Sequence, residues 1–443
     1  MDYLLGIDAG TTSVKAGLFA ADGRLVRLKR EEYQLDAPSP EWVQLDPQIY
    51  WQACLRTVRG VLAESGIDPA EIRALGVSSQ GETTITLDAQ GEPLYPAMIW
   101  LDNRAAAQAA SLAVDFADRI YDVTGVQELI PTWTACKIQW LRENEPALFE
   151  RAWKFMLVQD YLVYRLTGRA VTDGSIACTT LLYDIRRHVW WDEMLAAVGL
   201  TADRLPEILP PGARVGTLLP AAADALGLDP QTVVVNGGMD QSTGAIGAGN
   251  IAPGTISEST GGALVIQAPI TDPGLDKSKV IPVYCHSLPG LYLFAPVCPT
   301  AGMALKWLRD TFFQPEIQRA AESGAEAYDL MTDLAETIPP GADGLVMLPH
   351  MMGAFSPVPN PLARGAFSGF SLSHGRGHFV RAVLEGVAFM LRQNLDTLKD
   401  AGLPVNELRS TGGGSRSPLW NQIKANVCRV PVVTLAMEDT ALL

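Results

Sequence analysis

The chain has 443 residues, 48% hydrophobic and 19% charged, enough apolar material for two or three globular domains and too much for a disordered chain. Its 34 Lys+Arg against 49 Asp+Glu leave a net charge of −15, which argues against nucleic acid as the main partner, since that role needs a basic stripe. There is no run of about 18 apolar residues and no basic-then-apolar leader, so the expectation is a cytoplasmic protein with no membrane span. Cys54, Cys136, Cys178, Cys285, Cys298 and Cys428 form no C-x-x-C pair, and the five histidines show no H-E-x-x-H spacing. Buried thiols and structural histidines are expected, with no zinc site and no disulfide framework.

In chain order, residues 4–7 read as a strand, residues 8–12 as a tight polar turn, and residues 14–19 as a second strand. Ala21-Asp22-Gly23 is a hairpin signal before a third strand at Leu25, so the chain opens as an antiparallel meander. Asp46-Pro47 starts a helix, which keeps apolar spacing through Trp51, Cys54, Leu55, Val58, Val61 and Leu62 until Gly66 stops it. Residues 74–78 read as a buried strand, and 84–87 as a strand before the turn at 88–91. Helices follow at 136–141 and 159–166, then a connector carrying Pro206, Pro210, Pro211 and Pro220. A strand at 232–235 runs into Asn236-Gly237-Gly238-Met239-Asp240. After Gly249 the strand, Thr/Gly turn, strand pattern of the opening recurs over 254–268, which suggests two related halves. A Pro/Gly-rich stretch spans 339–361, a strong helix covers 379–398, and a Gly-rich turn at 410–415 leads into a helix from Pro418. The end, Glu438 to Leu443, reads as the acidic first turn of a helix.

Four motifs could carry chemistry. In Asp8-x-Gly10-Thr11-Thr12-Ser13-x-Lys15, a glycine turn can aim backbone N–H groups at an anion, the threonines add donors and Lys15 adds a cation. A carboxylate at its entrance can hold Mg²⁺ through water. The plainer alternative is a hairpin with a polar tip. In Gly237-Gly238-Met239-Asp240-Gln241, a carboxylate after an apolar strand can take a proton from a hydroxyl, as phosphoryl transfer to an alcohol requires. The alternative is an Asp that caps the next helix. The turns Ser259-Thr260-Gly261-Gly262 and Thr411-Gly412-Gly413-Gly414 suit phosphate or a flat adenine ring, or are simply loops. Ser79-Gln80-Gly81-Glu82-Thr83 and Trp100-x-Asp102-x-Arg104 combine polar groups with an indole face and suit a polyhydroxylated ligand. A salt bridge beside a core Trp is the alternative there. No G-x-x-x-x-G-K-[ST] occurs, and residues 244–249 have the wrong glycine order for a dinucleotide fingerprint.

Together, residues 6–12, 100–104, 159–168, 238–249, 301–308 and 369–386 resemble the FGGY family of carbohydrate kinases within the sugar kinase/Hsp70/actin superfamily. The resemblance implies an α/β protein of two actin-like (ribonuclease H-like) domains, 1–248 on the sugar side and 249–443 on the nucleotide side, with ATP and sugar in the cleft between them. It implies Asp240 as catalytic base and Asp8 as the carboxylate that organises Mg²⁺. Thr11, Thr12, Ser13 and Lys15 match the first phosphate turn, and Thr260 and Gly261 the second. Gly302 and Lys306 match nucleotide contacts, and Gly413 and Ser417 the adenosine side. Gln80, Glu82, Trp100, Asp102 and Gln241 map to the sugar.

Gly81 stands where glycerol kinases have Arg, which removes a hydroxyl clamp and leaves space. The expected acceptor is therefore larger than glycerol: a ketopentose such as xylulose, or a longer polyol. A glycerol- or erythritol-type polyol kinase and a non-catalytic sugar-sensing ATPase of the same fold stay open. A homodimer is consistent with the family. Relatives continue past this point with a helix that opens Ala-Leu-Gly-Ala-Ala, so the chain is expected to be truncated at its C-terminus.

Overall fold

The computed structural model describes residues 2–437 and 439–442, which divide into two compact units. One runs to Gly247 and takes in Val283–Tyr292 and the segment from Asp439; the other comprises Ala248–Pro282 and residues 293–437.

The first unit is built on a six-stranded sheet in the order Arg214–Thr217, Val233–Met239, Ile72–Ser79, Tyr3–Ala9, Ser13–Ala20, Leu25–Glu32. The opening meander is antiparallel, as expected, while Tyr3–Ala9, Ile72–Ser79 and Val233–Met239 run parallel to one another. Tyr3–Ala9 and Ser13–Ala20 are buried along most of their length because apolar residues face both sides. The helix Pro47–Ser65 has the anticipated ends: the Asp46 side chain accepts from the Gln48 N–H at 2.9 Å, and Gly66 takes the left-handed conformation at φ 67°. Its Tyr50, Cys54, Val58 and Val61 pack with Leu5, Ile7, Leu18, Leu75 and Val77 in the sheet core. A second core gathers Trp133, Ile138, Trp140, Leu141, Phe155, Leu182 and Trp191, mostly from the helix Thr134–Asn144 and its neighbours.

Three segments differ from the sequence reading. The Pro-rich connector is ordered: Arg214–Thr217 is the edge strand of the main sheet, and Pro220 is the first residue of the helix Pro220–Leu226, where a missing N–H costs nothing. The strand expected to stop at Val235 continues to Met239, with a register shift between Val235 and Gly238. Thr440–Leu442 forms a short 3-10 turn rather than an α-helical start, and Glu438 and Leu443 lie outside the described residues.

In the second unit, Gly254–Thr260 pairs antiparallel with Leu264–Ile270 and parallel with Val405–Thr411, which pairs parallel with Val432–Thr434. The opening of the first unit has the same arrangement, so the repeated pattern in the sequence reflects a repeated topology. The helix Arg376–Asp400 buries Val383, Leu384, Val387, Leu391 and Leu395. The helix Pro418–Cys428, capped by the Ser417 side chain, packs against it. All six cysteines are buried thiols, and none of the described helices is long and apolar enough to cross a membrane.

Candidate active site

Register places the acidic residues of the first unit. Asp8 and Gly238 both lie opposite Ser78, on either side of the strand Ile72–Ser79. The C-terminal ends of three adjacent parallel strands thus bring Asp8 and the Met239–Asp240 step to one sheet edge, the edge at which α/β sheets bind ligands. The strand reaches that edge through glycine, since a Cβ on Gly237 would sit 1.7 Å from the Val77 carbonyl oxygen. The turn behind Asp240 is braced: Met239 N–H donates to Ser175 Oγ at 3.0 Å, and Gln159 Nε2 donates to Asp173 Oδ2 at 2.8 Å beside it.

Asp240 opens the helix Asp240–Gly247, and its Oδ1 accepts the adjacent Gln241 N–H at 2.6 Å. Burial pushes its carboxyl up to about 8, and the Asp8 and Glu82 carboxylates add to that, against the Gln241 N–H and Lys15. Asp8 is buried and also raised, first by burial and then by Asp439, with Lys15 and Ser78 opposing. Its oxygens lie 3.7 Å from Lys15 Nζ and 3.3 Å from Ser78 Oγ. Lys15 is shared, with its Nζ 2.6 Å from Asp439 Oδ1.

Two of the residues expected on the sugar side, Trp100 and Gln80, are joined through Thr11. Trp100 Nε1 donates to Thr11 Oγ1 at 2.8 Å, Thr11 Oγ1 donates to Gln80 Oε1 at 2.8 Å, and Gln80 Nε2 donates to Tyr50 OH at 2.7 Å. Thr11, expected at a phosphate, spends its hydroxyl proton on Gln80. Thr12 is exposed at the tip of the turn, Ser13 is buried in the strand that follows, and Gln241 is exposed. Trp100 keeps 39% of its surface open, so its indole face is accessible.

Glu82 has φ 55°, a left-handed conformation costly for a side-chain-bearing residue. Lys137 holds it there. That lysine is fully buried, and its Nζ donates to the carbonyls of Glu82 at 2.9 Å, Ile99 at 2.8 Å and Met98 at 3.3 Å. It ties the loop carrying Glu82 to the one carrying Trp100, and the sequence reading missed it. Burial raises the Glu82 carboxyl and lowers the Lys137 ammonium, while each partner's charge pulls the other back.

Two expectations on this side need correction. Asp102 is not a ligand group, because both of its oxygens face Arg104, at 2.7–3.0 Å, and Oδ2 also accepts the Val43 N–H. The two side chains are completely buried, and Arg104 stacks 3.9 Å over the Trp42 ring, so the pair is structural. Nor does Gly81 leave open space, since a Cβ there would come within 2.8 Å of Thr179 Oγ1, whose hydroxyl also accepts the Glu82 N–H.

In the second unit, Thr260, Gly261, Gly302, Lys306, Gly413 and Ser417 all line a single cavity of about 390 Å³. Glycine is required where walls meet: a Cβ on Gly302 would lie 2.3 Å from the Gly261 carbonyl oxygen, and one on Gly414 would lie 2.7 Å from Thr260 Cβ. The side chains are less free than the sequence suggested. Thr260 Oγ1 donates to Glu258 at 2.6 Å, Lys306 Nζ pairs with Asp310 at 2.6 Å, and Ser417 Oγ accepts the Trp420 N–H as a helix cap. Tyr328, Arg416 and Trp420 also line it, as do Met303, Glu326 and Asp329, and none of these was anticipated. Such a cavity, with an aromatic side and glycine-rich backbone on the other, can take a flat heterocycle with an anionic tail.

Comparison with known proteins gives the lineage. Residues 3–247 match the N-terminal domain, and residues 272–443 the C-terminal domain, of the FGGY family of carbohydrate kinases. The chain is 30% identical over 439 residues to a xylulose kinase of Bacillus subtilis (strain 168), covering 99% of this chain and 86% of that protein. It is 30% identical over 435 residues to a gluconokinase of the same organism, covering 97% and 84%. The crystal structure of a xyloylose kinase from Brucella ovis superposes with a TM-score of 0.87 at 30% identity, covering 99% of this chain and 89% of that one. The chain belongs to the FGGY family of carbohydrate kinases.

Proposed function

We propose that this carbohydrate kinase transfers the terminal phosphoryl group of ATP to a hydroxyl of a ketopentose, with xylulose the first acceptor to try. The observation that carries the reading is the sheet edge where Asp240, with a carboxyl pushed up to about 8, adjoins the field of Asp8, Glu82 and Lys15. A base of that affinity suits an alcohol whose proton leaves during transfer. Glu82 and Gln241 would meet sugar hydroxyls, buried Gln80 would hold Thr11 beside them, and the open Trp100 face would cover C–H groups. The walls around Thr260, Gly261, Gly302 and Gly413 would take the nucleotide, so that 1–248 serves the sugar and 249–443 the ATP.

Asp8 fits a magnesium ion. It is a buried carboxylate held above its ordinary range by burial and by Asp439, and a cation would relieve that cost. Mg²⁺ commonly takes one or two carboxylates together with substrate phosphates. Among the described residues no cluster of three or more His, Cys, Asp or Glu side chains could cage a metal, which fits that mode. Bound there, the ion would neutralise phosphate charge, while Lys15 adds a second cation and Asp240 accepts the hydroxyl proton.

Thr179 fills the space over Gly81, so that position adds no room for a larger acceptor. Several relatives at this level of identity are named for xylulose, beside others named for gluconate and glycerol, which makes xylulose the first acceptor to try. A coupled ADP-release assay across pentuloses, gluconate, glycerol and erythritol tests the reading. A pentulose is expected to give the highest kcat/KM. ATP hydrolysis that no acceptor stimulates would overturn it.

A further inference from the structure

A buried ion pair lies beneath the cavity of the second unit and has no part in the chemistry above. Glu258, on the strand Gly254–Thr260, and Lys424, on the helix Pro418–Cys428, are both completely buried, with Lys424 Nζ 2.6 Å from Glu258 Oε1. The other oxygen, Oε2, accepts the Thr260 hydroxyl at 2.6 Å. Ser410, on the neighbouring strand Val405–Thr411, donates to Glu258 and accepts from Lys424 at 3.2 Å. Lys424 Nζ also sits 5.2 Å from the Trp420 ring centre. Thr260 and Trp420 are two walls of the cavity. The pair therefore joins the floor of the site to both walls across 166 residues of sequence.

Stability does not account for such a pair. Removing two charges from water costs about as much as their attraction returns, and apolar side chains of similar size often replace a buried pair with no loss of stability. What apolar residues cannot do is take the Thr260 proton. With that proton turned inward, the Thr260 side chain has one orientation, and the turn that follows it is held in one shape.

We propose that Glu258 and Lys424 are positioning residues for nucleotide binding: Glu258 fixes the Thr260 turn, and Lys424 holds Glu258 and backs Trp420. The inference rests on the reading of this cavity as the nucleotide side.

Two double variants test it. Glu258→Met with Lys424→Met removes the pair and the acceptor; Glu258→Gln with Lys424→Met removes the charges but keeps an oxygen for Thr260. Calorimetric titration with ADP, the KM values for ATP and acceptor, and thermal melts are read for each. The Met/Met variant is expected to melt close to the wild type and bind ADP about tenfold more weakly, with the acceptor KM unchanged. The Gln/Met variant is expected to recover most of the ADP affinity. Unchanged ADP binding in a folded Met/Met variant would overturn the proposal, as would a Gln/Met variant no better than Met/Met. Should Met/Met not fold, Thr260→Val carries the test: weaker ADP binding supports the proposal and unchanged binding overturns it. Photolabelling of the wild-type protein with 8-azido-ATP separates the two claims. Label on the walls around Tyr328 and Met303 upholds the nucleotide reading whatever the variants do, and label elsewhere removes that reading and this inference with it.

Discussion

Asp240 has one property with two consequences. Burial, with the Asp8 and Glu82 charges, pushes its carboxyl from an ordinary 3.8 up to about 8. The proposed base must be unprotonated to act, so kcat/KM for the acceptor is expected to climb with pH through about 8 and then level off. The same shift bears on stability. Between the two values the folded state holds the proton and the unfolded state does not, so stability falls as pH rises through that window. Asp240→Asn removes this cost. Its melting temperature should match the wild type near pH 4 and exceed it by a margin that grows as pH rises toward 8. A melting difference independent of pH would contradict the shift. Lys137 gives a second test at this scale. Lys137→Met deletes three carbonyl contacts and should raise the acceptor KM at least about tenfold, leaving the KM for ATP unchanged. An equal rise in both KM values would show a general structural defect instead.

These residues also show where the sequence was misleading. A lysine inside an apolar helix pattern reads as solvent-facing, so Lys137 gave no signal; only the fold shows three carbonyls converging on it. Asp102 and Arg104 are two residues apart in a polar run, and nothing in that spacing tells a ligand pair from one buried under Trp42. Thr11 lies in a phosphate-like turn, yet its partners Gln80 and Trp100 are 69 and 89 residues away.

Among the elements, those with local determinants were legible. Asp46, Pro47 and Gly66 bound their helix because capping and the left-handed end depend on nearby residues alone. The repeated meander was visible because alternating strands and Thr/Gly turns are local too. The end of the strand Val233–Met239 is not legible in sequence because Asn236, Gly237 and Gly238 lack strand propensity; the need for glycine there comes from Val77 on the adjacent strand. Gly237→Ala is accordingly expected to cost at least about 3 kcal/mol, read as a lowered urea midpoint. It should also abolish activity, because Asp240 moves with the strand end. A midpoint within experimental error of the wild type would mean that the strands can part at no cost.

For the whole molecule, the charge of −15 acts on association. A nucleotide complex is itself anionic, so it approaches an acidic protein against repulsion that salt screens. Between 0.01 and 0.1 M salt the screening length falls from about 30 Å to about 10 Å. The association rate for ATP with magnesium should rise a few-fold over that range, read by stopped-flow; a fall would mean that a local positive field around the site dominates instead. The acceptor is less legible than the class of reaction, because hydroxyl recognition depends on shape, and Thr179 closing over Gly81 is a tertiary contact.

The most direct test of the account is a single-turnover experiment on Asp240→Asn with radiolabelled ATP and the preferred acceptor, paired with calorimetry of the acceptor alone. The expected result is acceptor binding within a few-fold of the wild type and sugar phosphate formed at least about a hundredfold more slowly. Sugar phosphate at the wild-type rate would contradict Asp240 as the base, and with it the proposed mechanism.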